Sequence, residues 1–212
     1  MLDIFRKIYL NSFLYDKKIS GTFNQNFEYK PSTYLLTPIV KVQTKKFDIE
    51  EFSFDDVWTN NNLDKKQVYK LNNFFWLFSL DLKSSNFSVQ KIIKNWVEIN
   101  YKYNSITWDF VTTSKRLISW LSNSKLTYDE SNNQYKKDFD NTIYKQASHI
   151  LSQIDKIDNH RNKLVGTAAI ILVGLCYKDN KNFIFKGLNN LKKIIKNYLD
   201  SSGFPKSRNI KT

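Results

Sequence analysis

Glycine and proline are scarce in this chain of 212 residues, which has 5 and 3 of them. An all-β protein of this length calls for a turn at roughly every eight to twelve residues, and so few turn formers cannot supply them. The fold class expected is all-α. Cysteine is rarer still: Cys176 stands alone, so no disulfide can form within the chain, and its place in an apolar stretch marks it as core packing. There are two histidines. No Cys/His cluster has metal-ligand spacing, no glycine-rich loop could cradle a phosphate, and no serine-centred nucleophile motif is present. These gaps weigh against metal-dependent hydrolysis, nucleotide chemistry and serine hydrolysis, and no metal or cofactor is expected. Long apolar runs are also missing. The longest, ending at Cys176, is bounded by Lys163 and Lys178 at about 14 residues, where a bilayer needs roughly 20, so a buried helix is expected and no transmembrane segment. Between Met1 and Tyr15, Asp3, Arg6 and Lys7 interrupt every apolar run, no classical secretion signal is visible, and the default location is cytoplasmic.

What is abundant is aromatic and basic. Aromatic residues make up 16% of the chain, and the formal net charge is +13 with a pI near 9.6. Such a balance suits an acidic partner: nucleic acid, anionic lipid or a polyanionic glycan. The lysines are spread along the chain, which equally fits a solvated basic surface. Lysine outnumbers arginine 29 to 4 and no nucleic-acid motif occurs, so a basic helical nucleic-acid binder ranks below the other readings.

Two regions follow from periodicity. Residues 1–56 combine a short amphipathic helix, carried by Ile4, Phe5, Ile8, Tyr9, Phe13 and Leu14 and expected to pack on the body, with an irregular segment punctuated by Gly21, Pro31 and Pro38. Extended pieces such as 34–42 are expected there. Residues 57–212 carry helical patterns near 65–82, 88–103, 109–122, 139–157, 162–177 and 183–199, followed by a loop. About six helices of similar length on short connections should form antiparallel hairpins. Amphipathic helices alternate with almost wholly apolar ones, which suggests an outer and an inner layer.

The stretch from Phe139 to Tyr177 holds the best site candidate. One amphipathic helix is followed by the polar break Asp158-Asn159-His160-Arg161, then by a helix apolar nearly all round that is expected at the centre. Polar groups between two hydrophobic helices suit a binding site; the competing reading makes Asp158 or Asn159 an N-cap and leaves His160 exposed in the first turn. His149, close to an apolar stripe, reads as a hydrogen-bonded packing residue. Of the five tryptophans, Trp108 precedes Asp109 at a helix start and is the one expected to face a cleft, where it could stack on a sugar or a base.

The order of motifs resembles the bacterial heparinase II/III-like family. Leu71-Asn72-Asn73-Phe74-Phe75-Trp76-Leu77 is similar to its early helix motif. Ile93-Lys94-Asn95-Trp96, Trp108-Asp109 and Ser114-Lys115-Arg116-Leu117-Ile118-Ser119-Trp120 resemble its second and third helices. Asp158-Asn159-His160-Arg161 falls where that family has an Asn-His pair, and Gly203-Phe204-Pro205-Lys206-Ser207-Arg208-Asn209 resembles the loop after its last helix. The resemblance implies an incomplete α/α toroid, the helical half of a polysaccharide lyase, which a β-sandwich domain normally follows. It implies an acidic, uronate-containing polysaccharide as substrate and β-elimination as reaction. Asn159 and His160 would neutralise the uronate carboxylate as charge develops. Asn73, Trp108, Arg116, Arg161, Arg208 and Asn209 would bind substrate. The family's acid/base tyrosine lies in or just past the loop beginning at Gly203, and this chain has no tyrosine between Tyr198 and Thr212. The chain therefore reads as a fragment, with part of a site. A non-catalytic glycan-binding or structural remnant is the alternative reading.

Overall fold

The computed structural model describes residues 2–24, 27–32, 58, 62–81, 83–177 and 181–206. Among them are nine α-helices and no β-strand: α1 Leu2–Leu10, α2 Phe13–Ile19, α3 Lys65–Asn72, α4 Asn86–Asn100, α5 Phe110–Ser122, α6 Ser124–Thr127, α7 Asn133–Gln153, α8 His160–Cys176 and α9 Lys181–Tyr198. The all-α class is as expected. The extended pieces anticipated over 34–42 fall outside the described residues.

Side-chain caps set most of the boundaries. The single N-terminal helix of the sequence reading breaks into two because Asn11 bonds back to the Lys7 carbonyl at 2.7 Å while Ser12 caps α2 by accepting from the Tyr15 N–H. The helix anticipated over 65–82 stops at Asn72. Asn73 accepts from the Phe75 N–H at 2.8 Å, Phe74 turns left-handed at φ 57°, and a 3-10 turn, Phe75–Ser79, follows. A bulky residue rarely takes that conformation. Phe74 is held there by burial, its ring meeting Trp58, Trp96 and Trp120 at centroid distances between 5.1 and 6.1 Å. Helix α7 begins six residues before the apolar pattern does, because Asn132 caps it and Tyr135, one turn before Phe139, already packs on the core.

Helix α8 packs most closely on α9 and α5, with α7 also against it, and α4 lies against α6 and α7. The main core runs through Trp96, Leu117, Trp120, Phe139, Ile143, Ile150, Ile170 and Val173. Glycine permits the tightest approach: a Cβ on Gly174 would stand 2.5 Å from the Ile184 backbone nitrogen, and one on Gly187 would stand 2.6 Å from Ile171.

Helix α8 is less enclosed than its composition suggests. Leu164 and Leu175 are 45% and 40% exposed, and Ile171 and Leu172 between them are half-buried. On α9, Phe183, Gly187 and Ile194 are buried, while the apolar stripe of Ile184, Leu188, Leu191 and Ile195 lies a quarter-turn away and is partly open. Ile171 abuts α9 at Gly187 and Ile184 abuts α8 at Gly174, so the two open stripes meet along the hairpin seam. The expectation of a fully surrounded α8 is corrected to a helix buried on three sides.

A smaller core of Leu10, Tyr15, Ile19 and Trp108 fixes α2 on α7. The Tyr15 hydroxyl donates to His149 Nδ1 at 2.7 Å, and Lys145, buried in α7, pairs with Asp16 at 2.7 Å. No helix among the described residues is long and apolar enough to cross a membrane.

Candidate functional site

Helix α8 starts where the chain leaves a 3-10 turn, Ile154–Lys156, that closes α7. Asn159 takes extended backbone and its Oδ1 accepts from the Asn162 N–H at 3.0 Å, a standard N-cap. This is the capping arrangement the sequence left open. It engages only the carbonyl half of the amide. The Nδ2 group makes no bond among the described residues, and Asn159 is exposed. The cap and an interaction with an anion are therefore compatible. The start of a helix is also where backbone N–H groups point outward and negative charge is favoured.

His160 follows, half-buried, its ring stacked on Tyr198 with centroids 4.9 Å apart and planes 29° from parallel. Tyr198 is the last residue of α9. The loop after it folds back: Asp200 N–H donates to the Phe204 carbonyl at 2.8 Å, and Lys206 N–H donates to the Tyr198 carbonyl at 2.8 Å. One end of the α8–α9 hairpin thus gathers an amide, an imidazole, a phenol and the exposed guanidinium of Arg161. Exposed Asp158 adds a carboxylate at the edge. Tyr198 was not expected here. The sequence gives no hint that the antiparallel return of α9 brings it to His160.

Compared with family models, curated proteins and solved structures, the chain has no match.

The remaining candidates are placed elsewhere. Asn73 is buried, its Oδ1 held by Phe75 N–H. Trp108, expected at a cleft, is 1% exposed; its indole N–H donates to the Asn100 carbonyl at 2.8 Å and its ring packs edge-on to His149. A cleft-facing Trp108 is thus corrected to a core residue, because its N–H finds a partner only inside. Arg116 is wholly enclosed. Its Nε donates to Gln146 Oε1 at 3.0 Å, Nη1 to the carbonyls of Asn72 at 2.7 Å and Thr107 at 3.0 Å, and the guanidinium lies 4.0 Å over the Trp96 ring. Burial pushes its pKa down, the Asp109 charge opposes that shift, and neutral acceptors with one aromatic face bind the guanidinium directly. Trp108 and Arg116 therefore have no free group to offer a solute, and Asn73 has its carbonyl oxygen engaged. Arg208 and Asn209 lie outside the described residues.

His149 is the packing residue anticipated. Its Nε2 lies 3.0 Å from the Trp108 carbonyl and must donate there, which leaves Nδ1 to accept from Tyr15. That neutral tautomer is locked by burial, which drives the pKa down to about 3. Among the described residues no cluster of three or more His, Cys, Asp or Glu could hold a metal ion. A cavity of about 650 Å³ opens between α4 and α7, lined in part by Phe87, Asn95, Tyr101, Gln134 and Tyr135, and it takes no residue from α8 or α9.

Proposed function

We propose that this chain is the helical part of a heparinase II/III-like protein, that its hairpins belong to an incomplete α/α toroid, and that the α8–α9 end binds an acidic, uronate-containing polysaccharide. The observation that carries the reading is the juxtaposition of Asn159, His160 and Tyr198 at one solvent-facing end of a hairpin. The motif order supports it independently. So does the packing: α5 and α8 lie side by side with α7 against both, α4 lies against α7, and the open α8–α9 face is where a further hairpin would continue a toroid.

In the reaction proposed, a base removes the proton on the carbon next to the uronate carboxylate. The electron pair left behind forms a carbon–carbon double bond as the bond to the glycosidic oxygen breaks. That oxygen leaves and takes up a proton. Negative charge builds on the carboxylate during the first step, and the Asn159 Nδ2 group and His160 are the donors placed to meet it. Tyr198 supplies a phenol beside them, suited to giving the proton to the leaving oxygen. The basic surface draws the acidic chain in.

The test is a panel of acidic polysaccharides and uronate oligosaccharides, read by binding and by the ultraviolet absorbance of the unsaturated product. Binding that weakens in His160→Ala, with a neutral oligosaccharide of equal length ignored, is the expected result. Indifference of uronate binding to His160, or no binding at all, overturns the proposal. Binding without product from this chain and from any longer form of the protein would favour the non-catalytic module.

A further inference from the structure

The N-terminal helices face the wrong way for packing. An amphipathic helix on a protein surface normally turns its apolar stripe inward. Here α1 touches the body through Leu10, which is buried, and through Arg6, whose Nη2 donates to Gln153 Oε1 at 2.8 Å. Its apolar side points to solvent: Ile4, Phe5 and Ile8 are 65%, 64% and 63% exposed. Helix α2 repeats the pattern, with Tyr15 and Ile19 buried and Phe13 and Leu14 at 77% and 69%. The expectation that this segment packs on the body is met by Leu10, Tyr15 and Ile19 together with Arg6 and Asp16, while five large apolar side chains stay outside. Large apolar side chains left in water in this number, on two consecutive helices, mark an interaction site.

The charges around it identify the partner. Lys7 borders the apolar arc of α1, and Lys17 and Lys18 follow Phe13 and Leu14 on the outward side of α2; all three are exposed. The carboxylate of α2, Asp16, is turned inward onto Lys145, and the Asp3 side chain lies outside the described residues. Aromatic and aliphatic side chains flanked by lysines suit an interface where hydrocarbon meets anionic headgroups, the lysine stems lying along the apolar layer and the ammonium groups reaching the phosphates. A second copy of this chain fits poorly, because pairing the face with itself would set Lys7, Lys17 and Lys18 against their own copies.

We infer that α1 and α2 dock this protein on the surface of an anionic lipid bilayer, with Ile4, Phe5, Ile8, Phe13 and Leu14 entering the interface and the three lysines meeting the headgroups. The inference is independent of the glycan site, at which none of these residues stands.

Vesicle flotation of the full chain tests it, comparing phosphatidylcholine vesicles with vesicles that also contain phosphatidylglycerol. Flotation with the anionic vesicles is expected, weakened by roughly ten-fold or more in Phe5→Ser/Ile8→Ser, as loss of two inserted side chains requires. Lys17→Glu/Lys18→Glu should remove the preference for phosphatidylglycerol. Leu188→Ser/Ile195→Ser, on the open face of α9, should float as the parent does. Far-UV circular dichroism identifies any variant that has lost its fold, and Phe13→Ser/Leu14→Ser then replaces it. No flotation with either vesicle overturns the inference, as does flotation that depends on Leu188 and Ile195 but not on Phe5 and Ile8. A lipid-independent dimer abolished by Phe5→Ser/Ile8→Ser would assign the face to self-association instead.

Discussion

Asp140 offers a measurement in which a single carboxylate reports on the packing of α7 against the end of α8. Its Oδ1 accepts from the Tyr177 hydroxyl at 2.5 Å and its Oδ2 from the Tyr128 hydroxyl at 3.2 Å, yet no cation pairs with it among the described residues. Burial outweighs the two hydroxyls and the nearby Lys136 charge, and raises its pKa from the ordinary 3.8 to about 6. A carboxyl that holds its proton more tightly when folded stabilises the fold most at low pH. That contribution is complete below the unfolded pKa of 3.8 and is lost as pH rises through about 6. At about 1.4 kcal/mol per pH unit the gap amounts to about 3 kcal/mol, and solvent access to a half-buried group trims this toward about 2. Asp140→Asn keeps an acceptor and cannot ionise. Urea denaturation of parent and variant from pH 4 to pH 7.5 isolates the term as a difference. The parent should gain about 2 kcal/mol relative to the variant on going from pH 7.5 to pH 4. A difference that stays constant across the range would show that water reaches the carboxylate freely and would refute the burial argument.

His149 should act with the opposite sign. Its folded pKa, about 3, lies below the unfolded value of 6.5, so its contribution is present above pH 6.5 and lost as pH falls toward 3, and His149→Gln should flatten the acid limb of a stability profile. Asn159→Ala should cost about 1 kcal/mol in urea denaturation through loss of the cap, while Asn159→Asp should keep the cap, and that contrast separates capping from any effect on glycan binding. Gly174→Ala should cost about 2 kcal/mol or more, because the new Cβ meets backbone of α9 that has no flexible end to move aside; an unchanged melting temperature would refute that packing. Arg116→Lys should destabilise by about 2 kcal/mol or more, since an ammonium cannot reach the Gln146, Asn72 and Thr107 acceptors together, and denaturation again provides the reading.

α5, α8 and α9 begin and end within two residues of expectation, and the buried roles of Cys176 and His149 are readable from their apolar surroundings. The failures have physical causes. The first turns of α7 are polar apart from Tyr135, so the cap at Asn132 is the clearest sign of where the helix starts. The break at Asn73 depends on a left-handed Phe74, a conformation imposed by tertiary packing of aromatic rings. Trp108 and Arg116 misled because residue type alone cannot say whether an indole N–H or a guanidinium meets its partners inside or outside. At the candidate site, the Asn159 cap was legible as one of two readings. The contact of His160 with Tyr198 was not, since 38 residues separate the two in sequence and only the hairpin return joins them. The orientation of α1 escaped for a related reason: periodicity defines an apolar side without saying which way it turns.

The enclosed guanidinium of Arg116 also bears on how the chain reaches its fold. Its acceptors sit 44, 30 and 9 residues away, on the end of α3, on α7 and in the loop before α5. A compact intermediate that has docked α5 without α3 or α7 would hold a desolvated cation with too few acceptors, a state costlier than leaving the arginine in water. Partial assemblies are therefore penalised, and the three helical regions are driven to close together.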